Sequence, residues 1–157
     1  MQVLGDFKTT VGKSLSEIDP KWRNYDGLVV YGTHTPHNPE IIIDAISKAR
    51  ETGTPALLIC FGHQMAAVEY ARNILGIEDA TSEELSDEGT FVVKRLPHTK
   101  VGLHDGESYW NNYEVDINMN LPDNFVSVQY HPEYQSSKDN PHKDLVKFLK
   151  LCKEYEN

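Results

Sequence analysis

The sequence predicts a three-layer α/β/α domain on a mostly parallel central sheet, with residues 1–157 forming one unit. Three observations point there. Between Asp26 and Ile59 an apolar run, a helical pattern and a second apolar run follow one another, the order of a βαβ unit. The second run is apolar at every position, as in a strand covered on both faces. A later strand, Phe125–Tyr130, precedes an amphipathic terminal segment, which supplies a third strand and a further helix.

Leu28-Val29-Val30-Tyr31 is the first strand. Asn38-Pro39 then offers an N-cap and a proline at the first helical position. Ile42, Ala45, Ile46 and Ala49 recur at helical spacing, and Gly53 is placed to close the helix in a left-handed conformation. Pro55 leads into Ala56-Leu57-Leu58-Ile59, with Cys60 at its carboxyl end. Helical spacing resumes from Gly62 to Leu75 through Met65, Val68 and Ala71, and Gly76 ends it. Cys60 is therefore expected on a sharp turn from strand to helix.

The stretch from Asp79 to Asp123 is more polar. Phe91-Val92-Val93 and Tyr113-Glu114-Val115 are short strand-like pieces with an Asp105-Gly106 turn between them, and they read as an antiparallel extension or lid. After Phe125–Tyr130 comes His131, and Leu145, Phe148, Leu149 and Cys152 mark the last helix.

A length of 157 residues suits one domain, and the net charge of −9 opposes binding to phosphate backbones, so no nucleic-acid partner is expected. The sequence shows neither a leader pattern at Met1–Phe7 nor an apolar run long enough to cross a bilayer. Two cysteines are too few for a disulfide framework and fit a reducing compartment, so a cytoplasmic protein without membrane partners is expected. His34 and His37, with His63, His98 or His104, offer neither a helical i, i+4 pair nor an acidic ligand at a familiar spacing. No metal or other cofactor is expected. The acidic stretch Glu78–Glu88 lacks the alternating ligands and central glycine of a calcium loop and reads as solvated surface.

A thiol at a strand-to-helix turn meets helix N-terminal amides that favour the thiolate, and it is presented above the sheet edge. The N–H of Phe61 would then face the oxygen of a tetrahedral intermediate. In Tyr130-His131-Pro132-Glu133, His131 and Glu133 are two apart on a segment expected to be extended, so they can face one side. A histidine oriented by a carboxylate is the base that a cysteine nucleophile requires. Taken singly, Cys60 reads as a packing residue and His131-Pro132-Glu133 as a surface turn; together they form one constellation.

Pro55-Ala56-Leu57-Leu58-Ile59-Cys60-Phe61-Gly62-His63-Gln64 and Val128-Gln129-Tyr130-His131-Pro132-Glu133-Tyr134 resemble the class I glutamine amidotransferases, most of all the glutaminase domain of CTP synthase. The similarity also touches Glu69–Gly76, Asp79–Glu84 and Tyr113-Glu114-Val115. The resemblance implies a flavodoxin-like fold, Cys60 as nucleophile, His131 as base and Glu133 as its orienting carboxylate. It places the oxyanion hole at Phe61 and the Gly32-Thr33 pair, and glutamine contacts at Gln64 and Glu84. Asn112 stands where that family carries a substrate-binding arginine, Thr33 where it has a second glycine, and Leu58 where it has glycine two before the nucleophile. With 25 residues before Asp26, the resemblance further implies a sheet trimmed at the N-terminal side.

The activity so implied is hydrolysis of L-glutamine or another γ-glutamyl amide through a γ-glutamyl thioester, with a separate synthetase subunit as a possible ammonia acceptor. Two alternatives stand beside it. One is a hydrolase of a γ-glutamyl conjugate other than glutamine; the other is a catalytically degenerate binding or regulatory subunit.

Overall fold

A computed structural model describes residues 26–156, with side chains through Tyr155. The implied trimming of the sheet concerns residues 1–25 and lies outside the described residues. The central sheet contains β1 (Leu28–Val30), β2 (Ala56–Ile59) and β6 (Phe125–Val128) in the order β1-β2-β6, all parallel. Side chains alternate across it. Leu28, Val30, Ala56 and Leu58 join a core with α1 (Pro39–Thr52) and α2 (Phe61–Asn73). Val29, Leu57, Ile59 and Val126 face Phe148 and Cys152 of α3 (Lys143–Glu156). Helices thus cover both faces, which is why β2 is apolar at every position.

Helix α1 ends as expected, with Gly53 left-handed at φ 72° and its N–H returned to the carbonyls of Ala49 and Arg50. Its start differs. Asn38 makes no side-chain cap and is itself left-handed at φ 48°, ψ 57°. Pro39 disfavours the right-handed helical region for the residue before it, and asparagine tolerates the left-handed one. Helix α2 stops at Asn73, short of the expected Leu75, which lies exposed. The two helices are joined through Arg50 and Glu69, an ion pair whose carboxylate is only 1% exposed. Arg72 adds a second link, from α2 to Glu40 at the start of α1.

The polar middle of the chain forms a second sheet. β3 (Ala80–Ser82) pairs in parallel with β4 (Thr90–His104), which pairs antiparallel with β5 (Glu107–Val115) around Asp105 and Gly106. β4 extends far beyond Phe91–Val93 because the distal hairpin is held by cross-strand pairing, without the buried alternation that marks a strand in sequence. The register shifts between Arg95 and Lys100, around Pro97, which cannot donate to the ladder. Among the described residues no helix is long and apolar enough to cross a membrane.

Candidate active site

Cys60 occupies the cap position of α2 at φ 52°, ψ −102°, a conformation that non-glycine residues adopt at a cost of about 1–3 kcal/mol. The turn can be this sharp because Gly62 follows. A Cβ on Gly62 would sit 2.2 Å from the carbonyl oxygen of Val30, so only glycine lets the helix start so close to β1. Leu58 does not occupy the elbow; it is buried in the core beneath the sheet.

β6 ends one residue before Gln129, and the chain then delivers His131 to the same edge. His131 N–H donates to the carbonyl of Ser108 at 2.7 Å, so the distal hairpin holds the histidine backbone. Glu133 is not on an extended segment: Pro132–Gln135 is a 3-10 turn begun by Pro132. This tighter path still returns the carboxylate to the ring, with Glu133 Oε1 2.5 Å from His131 Nδ1. Tyr134 stacks on the imidazole, with centroids 4.5 Å apart.

Gly32 marks where Cys60 and His131 meet. A Cβ there would lie 3.2 Å from the Cβ of Cys60, 2.7 Å from Cε1 of His131 and 3.4 Å from its Nε2. Nε2 is buried and has no partner at full hydrogen-bond geometry, and the nearby Cys60 sulfur acts on the ring as a hydrogen-bond partner as well as through its charge. Burial disfavours the imidazolium, yet the Cys60 sulfur and the Glu133 carboxylate outweigh it and push His131 up to about 9. Both cysteines are buried, Cys60 at 5% exposed and Cys152 at 0%. Cys152 lies under Gly27 beside Phe148, and burial pushes its thiol up to about 12.

The remaining expected residues fall in distinct places. Phe61 is the first residue of α2, where helical N–H groups have no intrahelical partner. Thr33 keeps a negative φ, and its hydroxyl accepts from the N–H of Thr35 at 3.0 Å. Gln64 is buried and donates to the carbonyl of Tyr113 at 3.1 Å and to Gln129 Oε1 at 3.3 Å. Glu84 sits half-buried near Arg95; burial raises its carboxyl, and Arg95 opposes the rise. Arg95 in turn donates to the hydroxyl of Tyr113 at 2.8 Å, while Gln64 donates to the carbonyl of the same tyrosine.

Asn112 accepts from the Thr99 hydroxyl across the hairpin at 2.5 Å. Its neighbour Asn111 is the buried one, 2% exposed, donating to the Tyr113 carbonyl at 2.8 Å while its Oδ1 has no protein donor. Strand alternation explains the swap, since adjacent residues of β5 face opposite sides. Two further neighbours carried no expectation. The carbonyl of Trp110 lies 3.9 Å from the Cys60 sulfur, and Gln129 Nε2 lies 3.5 Å from it. Gln129 stands within the second motif block, but nothing in that block distinguishes its side chain from a neighbour's.

The histidines weighed as metal ligands do not converge. His34 packs on Trp110, His63 bonds Ser127, and His104 bonds the carbonyl of Val101. Among the described residues, Glu107, His142 and Asp144 form the one group with ligand spacing. His142 already engages Glu107 through Nε2 and the N–H of Asp144 through Nδ1. A cavity of about 710 Å³ is lined by His63, Met119, Phe125, Ser127 and Lys147, and Cys60 and His131 are not on its wall.

The family model for class-I glutamine amidotransferases matches residues 6–114, which includes the elbow at Cys60. The chain belongs to this family. As an amidotransferase-family chain it is 29% identical to the CTP synthase of Methanoculleus marisnigri over 206 residues, covering 90% of this chain and 39% of that protein. It is also 29% identical to the CTP synthase of Thermomicrobium roseum over 192 residues, covering 88% of this chain and 35% of that one. It therefore spans between a third and two fifths of these relatives. The glutaminase domain of Trypanosoma brucei CTPS with bound acivicin has the same fold. The TM-score is 0.70 over 82% of this chain and 71% of that one, at 20% identity.

Proposed function

We propose that the chain hydrolyses the side-chain amide of L-glutamine, with Cys60 as nucleophile, His131 as general acid and base, and Glu133 orienting the imidazole. The observation that carries this reading is the placement of Cys60 at a strained strand-to-helix elbow, in the crevice it shares with a buried, carboxylate-bound His131. The thiol passes its proton to Nε2, and the sulfur attacks the amide carbon. His131 returns the proton to the leaving nitrogen, and ammonia departs from a γ-glutamyl thioester. Water, deprotonated by His131, then cleaves the thioester to glutamate and restores the thiol.

Phe61 N–H serves the oxyanion as the first amide of α2. Gly32 and Thr33 frame the other side, where Thr33, not held left-handed, contributes less than a glycine would. Gln64 and Glu84 contact the substrate glutamine, Glu84 through its α-amino group. In this reading Asn112 serves the hairpin, because its Oδ1 accepts from Thr99 and, one position along β5 from buried Asn111, it faces the opposite side. The relatives are CTP synthases, so the ammonia acceptor in this reading is a synthetase unit beyond this chain.

Glutamate release by the protein and by Cys60→Ala is the direct test. Release that depends on Cys60 is expected, and equal release from both would overturn the reading.

A second reading, a γ-glutamyl conjugate other than glutamine, is favoured by one observation. Trp110, 46% exposed, packs against His34 at 4.5 Å while its carbonyl approaches Cys60, making an aromatic rim beside the nucleophile. A γ-glutamyl arylamide turned over faster than glutamine supports this version, and the reverse order supports glutamine.

A further inference from the structure

We propose that Gln129 is a catalytic residue whose carboxamide N–H stabilises the Cys60 thiolate, in an orientation imposed by Gln64. The proposal rests on Cys60 being the nucleophile. Gln129 Nε2 lies 3.5 Å from the sulfur, an N–H···S distance.

A carboxamide can sit either way round, and the partners along the network fix the direction of this bond. The chain of bonds begins at the carbonyl of Tyr113, which can only accept. Gln64 Nε2 meets that carbonyl at 3.1 Å, so the Gln64 amino group, not its oxygen, faces it. The same amino group meets Gln129 at 3.3 Å and requires an acceptor there, which places Gln129 Oε1 toward Gln64 and Nε2 toward sulfur. Reversing Gln129 would bring two amino groups together and turn an oxygen onto the sulfur. A backbone carbonyl at one end thus dictates a donor at the other.

The sulfur gains from such a donor. The Trp110 carbonyl, 3.9 Å away, can receive a thiol proton but repels a thiolate, and His131, which also acts on the sulfur, must give up its proton to the leaving nitrogen, whereas a carboxamide keeps its hydrogens throughout. A neutral amide donating to an anion forms a charge-assisted bond that weakens when the sulfur is protonated, so it favours the thiolate selectively. The fold aims it economically: Tyr130 faces Asp144, while Gln129 and His131 on either side of it both reach the Cys60 crevice. One turn therefore delivers the donor, the base and the carboxylate.

The test is the pH profile of Cys60 alkylation by iodoacetamide in the full chain, read peptide by peptide so that Cys152 is separated. Gln129→Leu removes the donor; Gln129→Glu keeps the size and substitutes an acceptor. Both are expected to move the midpoint up by about one unit, Gln129→Glu further, and to lower kcat for glutamine about tenfold with little change in KM. Gln64→Leu, which frees Gln129 to turn, is expected to move the midpoint in the same direction by less. Circular dichroism checks folding, and if Gln129→Leu fails to fold, the near-isosteric Gln129→Glu decides. A midpoint unchanged in Gln129→Glu would overturn the proposal even if glutamine is hydrolysed. A shifted midpoint in a protein that ignores glutamine would leave it standing and overturn the glutaminase reading instead.

Discussion

Glu133 Oε1 lies 2.5 Å from Nδ1 of His131, and the pair is reached through a single 3-10 turn begun by Pro132. The contact fixes which imidazole nitrogen faces Cys60. It also raises the affinity of His131 for its proton, together with the sulfur and against the effect of burial, up to about 9.

Because this folded value lies above the ordinary 6.5, protonated His131 adds stability that is fully present below about pH 6.5 and is lost as pH rises through about 9. Glu133→Gln removes one of the two groups that hold the proton. The stability difference between the two proteins, measured by urea unfolding, is expected to be largest near pH 6 and to narrow by pH 10. NMR titration of the His131 ring should show a lower midpoint in Glu133→Gln, and lower again when Cys60→Ser is added.

Gly32 and Gly62 predict two separable failures. Gly32→Ala would put a Cβ 2.7 Å from a movable imidazole carbon, so the ring shifts and glutamine turnover falls at least tenfold with little loss of stability. Gly62→Ala would meet the backbone of Val30 at 2.2 Å, which cannot turn aside, and is expected to cost about 1–3 kcal/mol or more in unfolding. Activity paired with thermal melts of the two variants separates the effects.

Arg50 and Glu69 predict an asymmetry. Glu69 is buried and its partner partly exposed, so Arg50→Ala leaves a buried carboxylate without its counter-charge, held only by Asn73 Nδ2 at 3.3 Å, and costs about 3 kcal/mol. Glu69→Gln leaves Arg50 able to reach water and should cost less. Chemical denaturation of both variants measures the order.

The two cysteines should separate by rate. Chloroacetamide at pH 7 is expected to label Cys60 at least tenfold faster than Cys152, whose thiol is buried and pushed up to about 12. Peptide mapping over time checks it. Comparable rates would remove the case for an activated Cys60.

Asn112→Ala removes only a hairpin contact with Thr99 and is expected to leave KM for glutamine within about twofold and stability within about 0.5 kcal/mol. Asn111→Leu, which removes a buried carboxamide beside Gln64, should raise KM or lower kcat severalfold. Steady-state kinetics on the pair tests which asparagine serves the pocket.

Much of the molecule could be read from the chain alone because its determinants are local. Two-faced burial of β2, the helical spacing of α1 and α2, Gly53 as a left-handed stop and the turn at Cys60 all follow from periodicity and backbone preference within a few residues. His131 and Glu133 come together across a two-residue step, so they could be paired even though the segment proved to be a 3-10 turn. The polar network could not be read in this way. Gln129 reaches Cys60 across 69 positions and Gln64 reaches Tyr113 across 49, through contacts that periodicity does not encode. Whether Asn111 or Asn112 faces inward depends on the side-chain alternation of β5, and a single step along that strand exchanges the two faces. The course of the central sheet with its helices and the turn at Cys60 were thus determined locally by the sequence, whereas the hydrogen-bond donors and acceptors around the Cys60 sulfur were decided only when the distal hairpin folded across it.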